Sequence, residues 1–350
     1  MKISLCMIVK NEQEVLEKCL RSAVAYVDEI VIVDTGSSDN TKQIAQKFTD
    51  KIYDFTWCND FSRARNYSVS KAENDWILIL DADEVIINWD KPLIERYVKR
   101  NTDTVGKIKI INIVDDVDGR VKRTTDYVSR FFNKNIFHFE GIVHEQIVSK
   151  DGSPYNREII EISVEHIGYT DKMLKSKDKI ERNIRLLQSA ISLNEKDPYL
   201  YYQLGKSYYL KKEYVKTIEA FSNALDYSHD NCQGYLEDIL ITYGYCLLNI
   251  GKYSDALELE SYIPCFDASA DFHFIMGLVY MNNGMFQKAV ERFSACVDKD
   301  EARVEGVNSY MAYYNIGVIY ECLGCKEDAV SFYKKCGDYE PALLRIKKLI

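Results

Sequence analysis

Glycine is scarce in the first third of the chain, where Gly36 is the only glycine before Gly106. A dinucleotide-binding G-x-G-x-x-G loop and a P-loop each need several glycines within a few residues. Both are therefore excluded from this region. If a pyrophosphate binds there, another device must neutralise its charge.

Long apolar runs and net positive charge are also missing. No stretch approaches the ~18 uninterrupted apolar residues of a membrane span, and the formal net charge is −9. We therefore expect no integral membrane segment and no nucleic-acid partner. The first residues lack a signal-peptide pattern, and the ten cysteines show neither a disulfide framework nor a complete zinc motif. These features predict a cytoplasmic protein with free thiols.

One apolar run, residues 76–80 (WILIL), ends abruptly in acidic residues. The following four residues, 81–84 (DADE), are called the acidic turn below. An apolar run of this kind is typical of a strand buried on both faces of a parallel sheet, and ligands bind beyond the carboxyl ends of such strands. Carboxylates placed there can hold Mg²⁺ or Mn²⁺, and the cation can in turn bind a diphosphate. A lone Asp-x-Asp is also common in ordinary polar turns.

Strands and helices alternate along the first 85 residues. Apolar segments predict strands over residues 3–9, 29–33, 51–55 and 76–80, with helical patterns between them. This alternation predicts a parallel, three-layer α/β unit. From Gly106 onward the pattern changes to strand, turn and strand, which predicts an insertion that contributes an acceptor site.

Four motifs occur in order within these residues: 7–12 (MIVKNE), 30–41 (IVIVDTGSSDNT), 60–66 (DFSRARN) and 80–84 (LDADE). Together they resemble the family 2 glycosyltransferases, which have the GT-A fold, an α/β Rossmann-like catalytic domain. The resemblance implies a UDP-sugar donor, inverting transfer, and Mn²⁺ or Mg²⁺ as the cofactor. A later segment, 139–145 (FEGIVHE), resembles members of the family that carry helical repeats.

The resemblance also assigns roles to particular residues. The nucleotide-sugar site would comprise Val9, Asn11, Glu12, Asp34, Arg63, Arg65, Asn66, Asp81 and Ala82. The metal ligands would be Asp83, Asp81 and His166. Inverting transfer needs a general base near the acceptor, and the catalytic candidates are Glu145, its rival Glu140, and His144. Each residue also has a plain structural interpretation, as a turn former, a helix start, a solvated charge or a satisfied polar group.

The last part of the chain has a helical repeat. A glycine recurs at positions 205, 244, 277 and 317, at intervals of 39, 33 and 40 residues, against a tetratricopeptide period of about 34. Four helix pairs and a final helix from Pro341 resemble a tetratricopeptide solenoid, although an unrelated helical bundle stays open. We predict a catalytic domain over 1–170, a linker helix over 171–197 and repeats over 198–350.

These features predict an enzyme that moves a hexose or N-acetylhexosamine from a UDP-sugar to a Ser, Thr or Cys side chain of a peptide or protein. One alternative acceptor is a cell-envelope saccharide or lipid-linked sugar. A non-enzymatic alternative is a protein-binding scaffold whose catalytic domain has decayed. The repeats would bind the acceptor, form a homodimer or brace the catalytic domain.

Overall fold

The computed structural model describes residues 2–100, 103–115, 121–166, 173–227 and 235–350. The chain forms two compact units, Met1–Ala190 and Ile191–Ile350. The predicted domain boundary at 170–171 lies outside the described residues. The two units divide within a helix, Met173–Leu193.

The first unit contains an eight-stranded sheet. Its strands, with the two of a separate hairpin, are β1 Ile3–Val9, β2 Glu29–Asp34, β3 Ile52–Asp54, β4 Trp76–Ile79, β5 Glu84–Trp89, β6 Thr104–Asp115, β7 Val121–Asn133, β8 Phe137–Glu140, β9 Gln146–Ser149 and β10 Asn156–His166. The sheet order is β3-β2-β1-β4-β7-β6-β10-β5, and β8 pairs with β9. The predicted α/β domain is thus confirmed.

The predicted parallel arrangement holds for the four strands β3, β2, β1 and β4. Strands β7 and β5 run antiparallel to their neighbours, so the whole sheet is mixed. The helices are α1 Leu16–Ala23, α2 Thr41–Ala45, α3 Phe61–Lys71, α4 Lys91–Arg100 and α5 Met173–Leu193. Helix α2 is short and ends at Ala45.

The central strands are buried on both faces. Leu5 of β1 and Leu78 of β4 have no exposed surface and join one core cluster together with Leu16 and Leu20 of α1. The opposite face packs in a second cluster, to which Val69 of α3 belongs. A sheet covered by helices on both faces presents its strand ends, and not its faces, to ligands.

Five elements were not predicted from the sequence, namely β5, α4, β8, β9 and β10. Strand β5 begins at the last residue of the acidic turn and pairs with β10 at the far side of the sheet, not beside β4. Helix α4 and the β8–β9 hairpin were also missed. The partners of β5 and β10 lie far away in the sequence, so no local periodicity indicates that pairing. The β8–β9 hairpin pairs locally, but its strands have four residues each and give little periodic signal.

The described residues of the second unit form helices joined by turns. Its elements are α6 Pro198–Leu210, α7 Tyr214–Asp226, α8 Leu236–Asn249, a 3₁₀ helix Asp255–Tyr262, α9 Ala270–Asn282, α10 Phe286–Val297, α11 Tyr310–Cys322, α12 Lys326–Lys334 and α13 Glu340–Leu349. The four predicted pairs and the final helix are confirmed. In the described ranges of the chain, no helix is both long and apolar enough to span a bilayer.

Close contact between a glycine and an aromatic ring defines three of the pairs. The ring lies sixteen residues after the glycine in each case: Gly205 with Phe221, Gly277 with Phe293 and Gly317 with Tyr333. A Cβ added to any of these glycines would lie 2.4–2.6 Å from a ring carbon. Any larger side chain would therefore separate the two helices.

The second pair departs from this rule. Glu260 stands sixteen residues after Gly244, and the glycine instead faces Leu259 and Ile275. The segment after the turn is the 3₁₀ helix, and Pro264 follows it closely. This pair therefore lacks the contact between glycine and ring, and its second segment is a 3₁₀ helix, which has fewer residues per turn than an α-helix.

Gly277→Ala tests the helix contact. Alanine favours a helix over glycine by about 1 kcal/mol, but its Cβ would lie 2.6 Å from the Phe293 ring. We expect the clash to dominate and lower the free energy of unfolding by about 1–3 kcal/mol in urea titrations. In a Phe293→Leu background the same substitution should cost less, because the two residues share one contact. A gain in stability in the wild-type background would contradict this packing.

Candidate functional site

Asp34 is a buried carboxylate at the end of β2, with 1% of its surface exposed. Its Oδ1 atom accepts hydrogen bonds from the N–H groups of Gly36 (2.9 Å) and Ser37 (2.8 Å). Gly36 has φ = 104°, a conformation that favours glycine, and so permits this turn. The Oδ2 atom is buried with no hydrogen-bond partner in the described parts of the chain. Because an unsatisfied buried acceptor is costly, Oδ2 is suited to accept an N–H or O–H from a ligand.

The loops after β1 and β2 are tied together. The Asn11 N–H donates to Ser37 Oγ (2.9 Å), and Asn11 Oδ1 accepts from the Ser38 N–H (2.8 Å). The Glu12 N–H donates to Thr41 Oγ1 (2.8 Å). Asn11 has φ = 56°, a strained value of the kind found at functional sites. The structure thus brings Asn11 and Glu12 to the loop that follows Asp34, while their nucleotide role stays a prediction.

Asp83 and His166 meet although 83 residues separate them. His166 Nε2 lies 3.2 Å from Asp83 Oδ2. The sheet explains the contact, because β10 ends at His166 and pairs there with Glu84 of β5 and with Asn112 of β6. The fold therefore joins two of the three predicted metal ligands.

The other side of His166 is held by a hydrogen-bond chain. Nδ1 lies 2.9 Å from Asn112 Oδ1, and Asn112 Nδ2 donates to Asp126 Oδ2 (2.9 Å). A metal-binding histidine is usually oriented in this way through its second nitrogen. Burial disfavours the charged imidazolium, but the hydrogen bond to Asp83 and the charges of Asp83 and Glu84 outweigh it and raise the pKa of His166.

Asp81 is held by two arginines. Its Oδ1 accepts from Arg65 Nη2 (2.9 Å) and its Oδ2 from Arg130 Nη2 (2.6 Å). Burial opposes the ionised carboxylate, yet the guanidinium groups of Arg130 and Arg65 hold the pKa of Asp81 well below its usual range. Each carboxylate oxygen thus accepts one charge-assisted hydrogen bond, while the side chain is 38% exposed, and the metal role predicted from the sequence stays a prediction.

Glu84 faces the interior and closes the acidic turn. It is 3% exposed, and its Oε2 accepts from the Asp81 N–H (2.8 Å). Its Oε1 lies 3.1 Å from Arg130 Nη2. Burial raises the pKa of Glu84, and the neighbouring Asp81 charge acts in the same direction.

Arg130 is a site residue that the sequence prediction missed. It lies in β7, where Phe131 pairs with Leu78 near the end of β4, and its side chain is 12% exposed. A signal was available, because Arg130 directly precedes two phenylalanines of a predicted strand, and a buried arginine needs a carboxylate partner. Only the pairing of β7 with β4 identifies that partner.

The three catalytic candidates have different surroundings. Glu145 has a side chain 11% exposed and accepts a hydrogen bond from Arg65 Nε. Glu140 is exposed, and its Oε1 lies 3.0 Å from His138 Nε2. His144 has φ = 52°, again in the strained left-handed region. Of these residues, only Glu145 joins the cluster around Asp81 through the contacts described, and the roles of all three stay predictions.

Three other predicted nucleotide-binding residues are placed less directly. Val9 is 3% exposed, and its carbonyl accepts from the Thr35 N–H (2.9 Å). Ala82 is 5% exposed within the acidic turn. Arg63 is exposed on the first turn of α3, where its N–H bonds to the capping carboxylate of Asp60. Their binding roles stay predictions.

Asn66 has a structural task. Its Nδ2 donates to the Phe139 carbonyl (2.8 Å), and its Oδ1 accepts from the Phe139 N–H (2.9 Å). This reciprocal pair ties α3 to β8. Both amide atoms are used, so the geometry explains Asn66 without a ligand.

The Asp83–His166 pair fits a divalent cation. The described residues contain no group of three or more His, Cys, Asp or Glu side chains that could hold a metal. One carboxylate and one imidazole suit Mn²⁺, or Mg²⁺ through the carboxylate, and leave coordination positions for diphosphate oxygens. The pair is therefore suited to a cation shared with a ligand and not to a closed structural metal site.

The mixed sheet, with parallel strands that end in a buried aspartate and an Asp–His pair, is an α/β domain of the GT-A type. Residues 4–162 match the profile of the family described as "Glycosyl transferase family 2". This part of the chain is therefore similar to the glycosyl transferase family 2 domains over the matched residues.

Curated relatives agree with this assignment. The SPbeta prophage-derived glycosyltransferase SunS of Bacillus subtilis is 29% identical over 317 residues, which cover 82% of this chain and 71% of that protein. An uncharacterized glycosyltransferase of Rickettsia felis is 27% identical over 162 residues, 45% of this chain and 56% of that one. A TPR repeat-containing protein of Synechococcus elongatus is 49% identical over 86 residues, 25% of this chain and only 21% of that protein.

Solved structures similar to half of the chain are tetratricopeptide and related repeat proteins. YrrB, described as a TPR protein with an unusual peptide-binding site, is 26% identical with a TM-score of 0.41, and the match covers 50% of this chain and 87% of YrrB. MamA of Desulfovibrio magneticus is 19% identical with a TM-score of 0.41, covering 50% and 89%. The repeat architecture rests on the helix pairs described above and not on these scores.

Asn66→Ala separates the structural task from nucleotide binding. Loss of two hydrogen bonds to a strand backbone should lower the free energy of unfolding by about 1–3 kcal/mol, measured by urea denaturation. UDP affinity, measured by calorimetry on the folded variant, should change little. The matched control Asn74→Ala, which loses only a 3.5 Å contact with Glu29, should stay within about 0.5 kcal/mol. Unchanged stability with lost UDP binding would instead support the predicted nucleotide role.

Proposed function

We propose that this protein is an inverting, metal-dependent glycosyltransferase that moves a hexose or N-acetylhexosamine from a UDP-sugar to a side chain of a peptide or protein. The Asp83–His166 pair at the strand ends of a family 2 domain carries this proposal. It supplies cation ligands in a chain whose first hundred residues contain no glycine-rich phosphate loop.

The donor's base fits the end of β2. Uracil presents an N–H group at its edge, and the buried Oδ2 of Asp34 is an acceptor without a donor in the described parts of the chain. The other oxygen is fixed by two backbone N–H groups, so the carboxylate cannot turn away. A pyrimidine with a ring N–H is therefore the base that this carboxylate would select.

Asp83 and His166 would hold the cation. Mn²⁺ or Mg²⁺, when bound, supplies positive charge that stabilises the departing diphosphate. His166 is oriented for this task by Asn112, which leaves Nε2 directed toward Asp83. Asp81 would instead hold the side chains of Arg65 and Arg130 at the acidic turn through its two carboxylate oxygens.

Glu145 remains the candidate general base of the family resemblance, but its contact with Arg65 limits that role. Its Oε1 atom accepts a hydrogen bond from the buried Arg65 Nε, so that oxygen is already engaged. The geometry favours Glu145 as the residue that positions Arg65. A base from elsewhere, or an acceptor that ionises easily, would then complete the reaction.

The helical unit supports a peptide or protein as the acceptor of the sugar. Stacked helix pairs present extended surfaces that suit a chain-like ligand, and a peptide or protein is such a ligand. Homodimer formation through the same repeats stays a separate prediction.

Asp83→Asn tests the donor chemistry. Release of UDP from a panel of UDP-sugars in the presence of Mn²⁺ should fall by at least ~10²-fold, since removal of a directly engaged group from such a site typically costs that much. Removal of the metal with a chelator should have the same effect on the wild type, and added Mn²⁺ should restore it. Asp103→Asn, on an exposed residue before β6, serves as the control. Equal turnover by wild type and Asp83→Asn would refute the metal role.

Asp34→Asn tests base recognition. The amide loses one acceptor and presents N–H groups to a donor, so UDP affinity should fall about 10–100-fold in calorimetry. Discrimination between UDP and CDP should also diminish, because cytosine lacks the ring N–H. Unchanged UDP affinity and selectivity would place the base elsewhere.

Mass spectrometry tests the acceptor class. Candidate peptides and proteins incubated with mixed UDP-sugars should gain the mass of a hexose or N-acetylhexosamine on a Ser, Thr or Cys side chain. Labelling of saccharide acceptors alone, with no labelled peptide, would contradict the proposed acceptor while leaving the donor chemistry intact.

A further inference from the structure

We propose that Arg130 is a positioning residue that locks the acidic turn and thereby confines the divalent cation to Asp83 and His166. This inference rests on the proposed function, because it concerns where the cation binds. It also assigns Asp81 a different task from the ligand role predicted from the sequence.

The guanidinium group of Arg130 contacts both ends of the acidic turn. Arg130 Nη2 lies 2.6 Å from Asp81 Oδ2 and 3.1 Å from Glu84 Oε1, so a single nitrogen bridges the first and last residues of the turn. Two further bonds link the same ends. The Glu84 N–H donates to the Asp81 carbonyl (3.1 Å), and the Asp81 N–H donates to Glu84 Oε2 (2.8 Å). Asp83 lies between these fixed ends.

The negative charges of the acidic turn explain why a cationic side chain such as Arg130 is needed there. Three carboxylates within four residues repel one another and would compete for a cation if none were paired with a cationic side chain. Arg130 and Arg65 engage both oxygens of Asp81, and Arg130 also engages Glu84. Asp83 is the acid of the turn that meets an imidazole instead of a guanidinium. A cation that approaches the turn therefore finds its ligands at Asp83 and His166.

Removal of the Arg130 charge should have two opposite effects. It releases Asp81 Oδ2 and Glu84 Oε1 as oxygen ligands and makes the turn more negative, so Mn²⁺ should bind the free protein more tightly. The cation would then no longer be held only where the diphosphate needs it, so transfer should slow. A residue with a merely structural role would weaken both properties together.

The experiment uses the full chain and two variants. Mn²⁺ binding without nucleotide is measured by electron paramagnetic resonance titration, and kcat and KM are measured from UDP release. For Arg130→Met we expect Mn²⁺ affinity to rise on the order of tenfold and kcat to fall on the order of 10–100-fold, with a smaller change in KM. Arg123→Met, the same substitution at an exposed position of the same strand, should match the wild type.

The Arg130→Lys variant provides a second test of the positioning role if the Arg130→Met variant does not fold. Lysine retains the charge, but its ammonium nitrogen ends one bond short of the position of Arg130 Nη2, the nitrogen that bridges the two carboxylates. Its Mn²⁺ affinity should stay near the wild-type value, while kcat should fall on the order of tenfold. Full activity of Arg130→Lys would overturn the inference, as would weaker Mn²⁺ binding by a folded Arg130→Met variant.

The same titration separates this inference from the proposed function. If the wild type binds no Mn²⁺, or if Asp83→Asn binds it equally well, the proposed metal site itself fails. If the wild type binds Mn²⁺ through Asp83 and the Arg130 variants keep full kcat, only the positioning role fails.

Discussion

Five side chains of alternating charge hold the acidic turn at the end of the central strand. In order of contact they are Glu145, Arg65, Asp81, Arg130 and Glu84. Removing charged groups from water costs several kcal/mol per ion and is offset only where each group meets opposite charge in good geometry. The placement of the turn therefore depends on strands and helices that are distant in the sequence, because these bring the arginines to the carboxylates.

The parts of this site that local pattern encodes were predictable, and the parts that depend on strand pairing were not. A run of apolar residues ending in Asp81 and Asp83 identifies a strand end, and Asp34 ends another. Arg130 and Asn112 reach the site only because β7 and β6 lie between β4 and β10. Nothing in the local periodicity of either strand fixes that order. Asn66 illustrates the converse, since it belongs to a family motif but spends both amide atoms on the Phe139 backbone.

The helical unit was easier to predict, because its contacts are local. A small residue and an aromatic residue sixteen positions later lie on facing helices of the same pair, so their spacing is visible in the sequence. The second pair shows the limit of the rule. Where Glu260 replaces the aromatic residue, the sequence still shows a repeat but does not indicate that the segment forms a 3₁₀ helix. The function of this unit depends on what binds its surface, which no spacing encodes.

The proposed site has three parts. Asp34 Oδ2 would accept a hydrogen bond from the nucleotide base, the Asp83–His166 pair would bind the cation, and Arg130 pairs with the neighbouring acids Asp81 and Glu84. The most direct measurement is anomalous X-ray scattering from Mn²⁺ in crystals grown with UDP. We expect one anomalous peak of Mn²⁺ within coordination distance of Asp83 and His166. UDP oxygens should complete the coordination, and Asp81 should still be bound to Arg130. A peak coordinated by Asp81, or none near the acidic turn, would contradict this expectation.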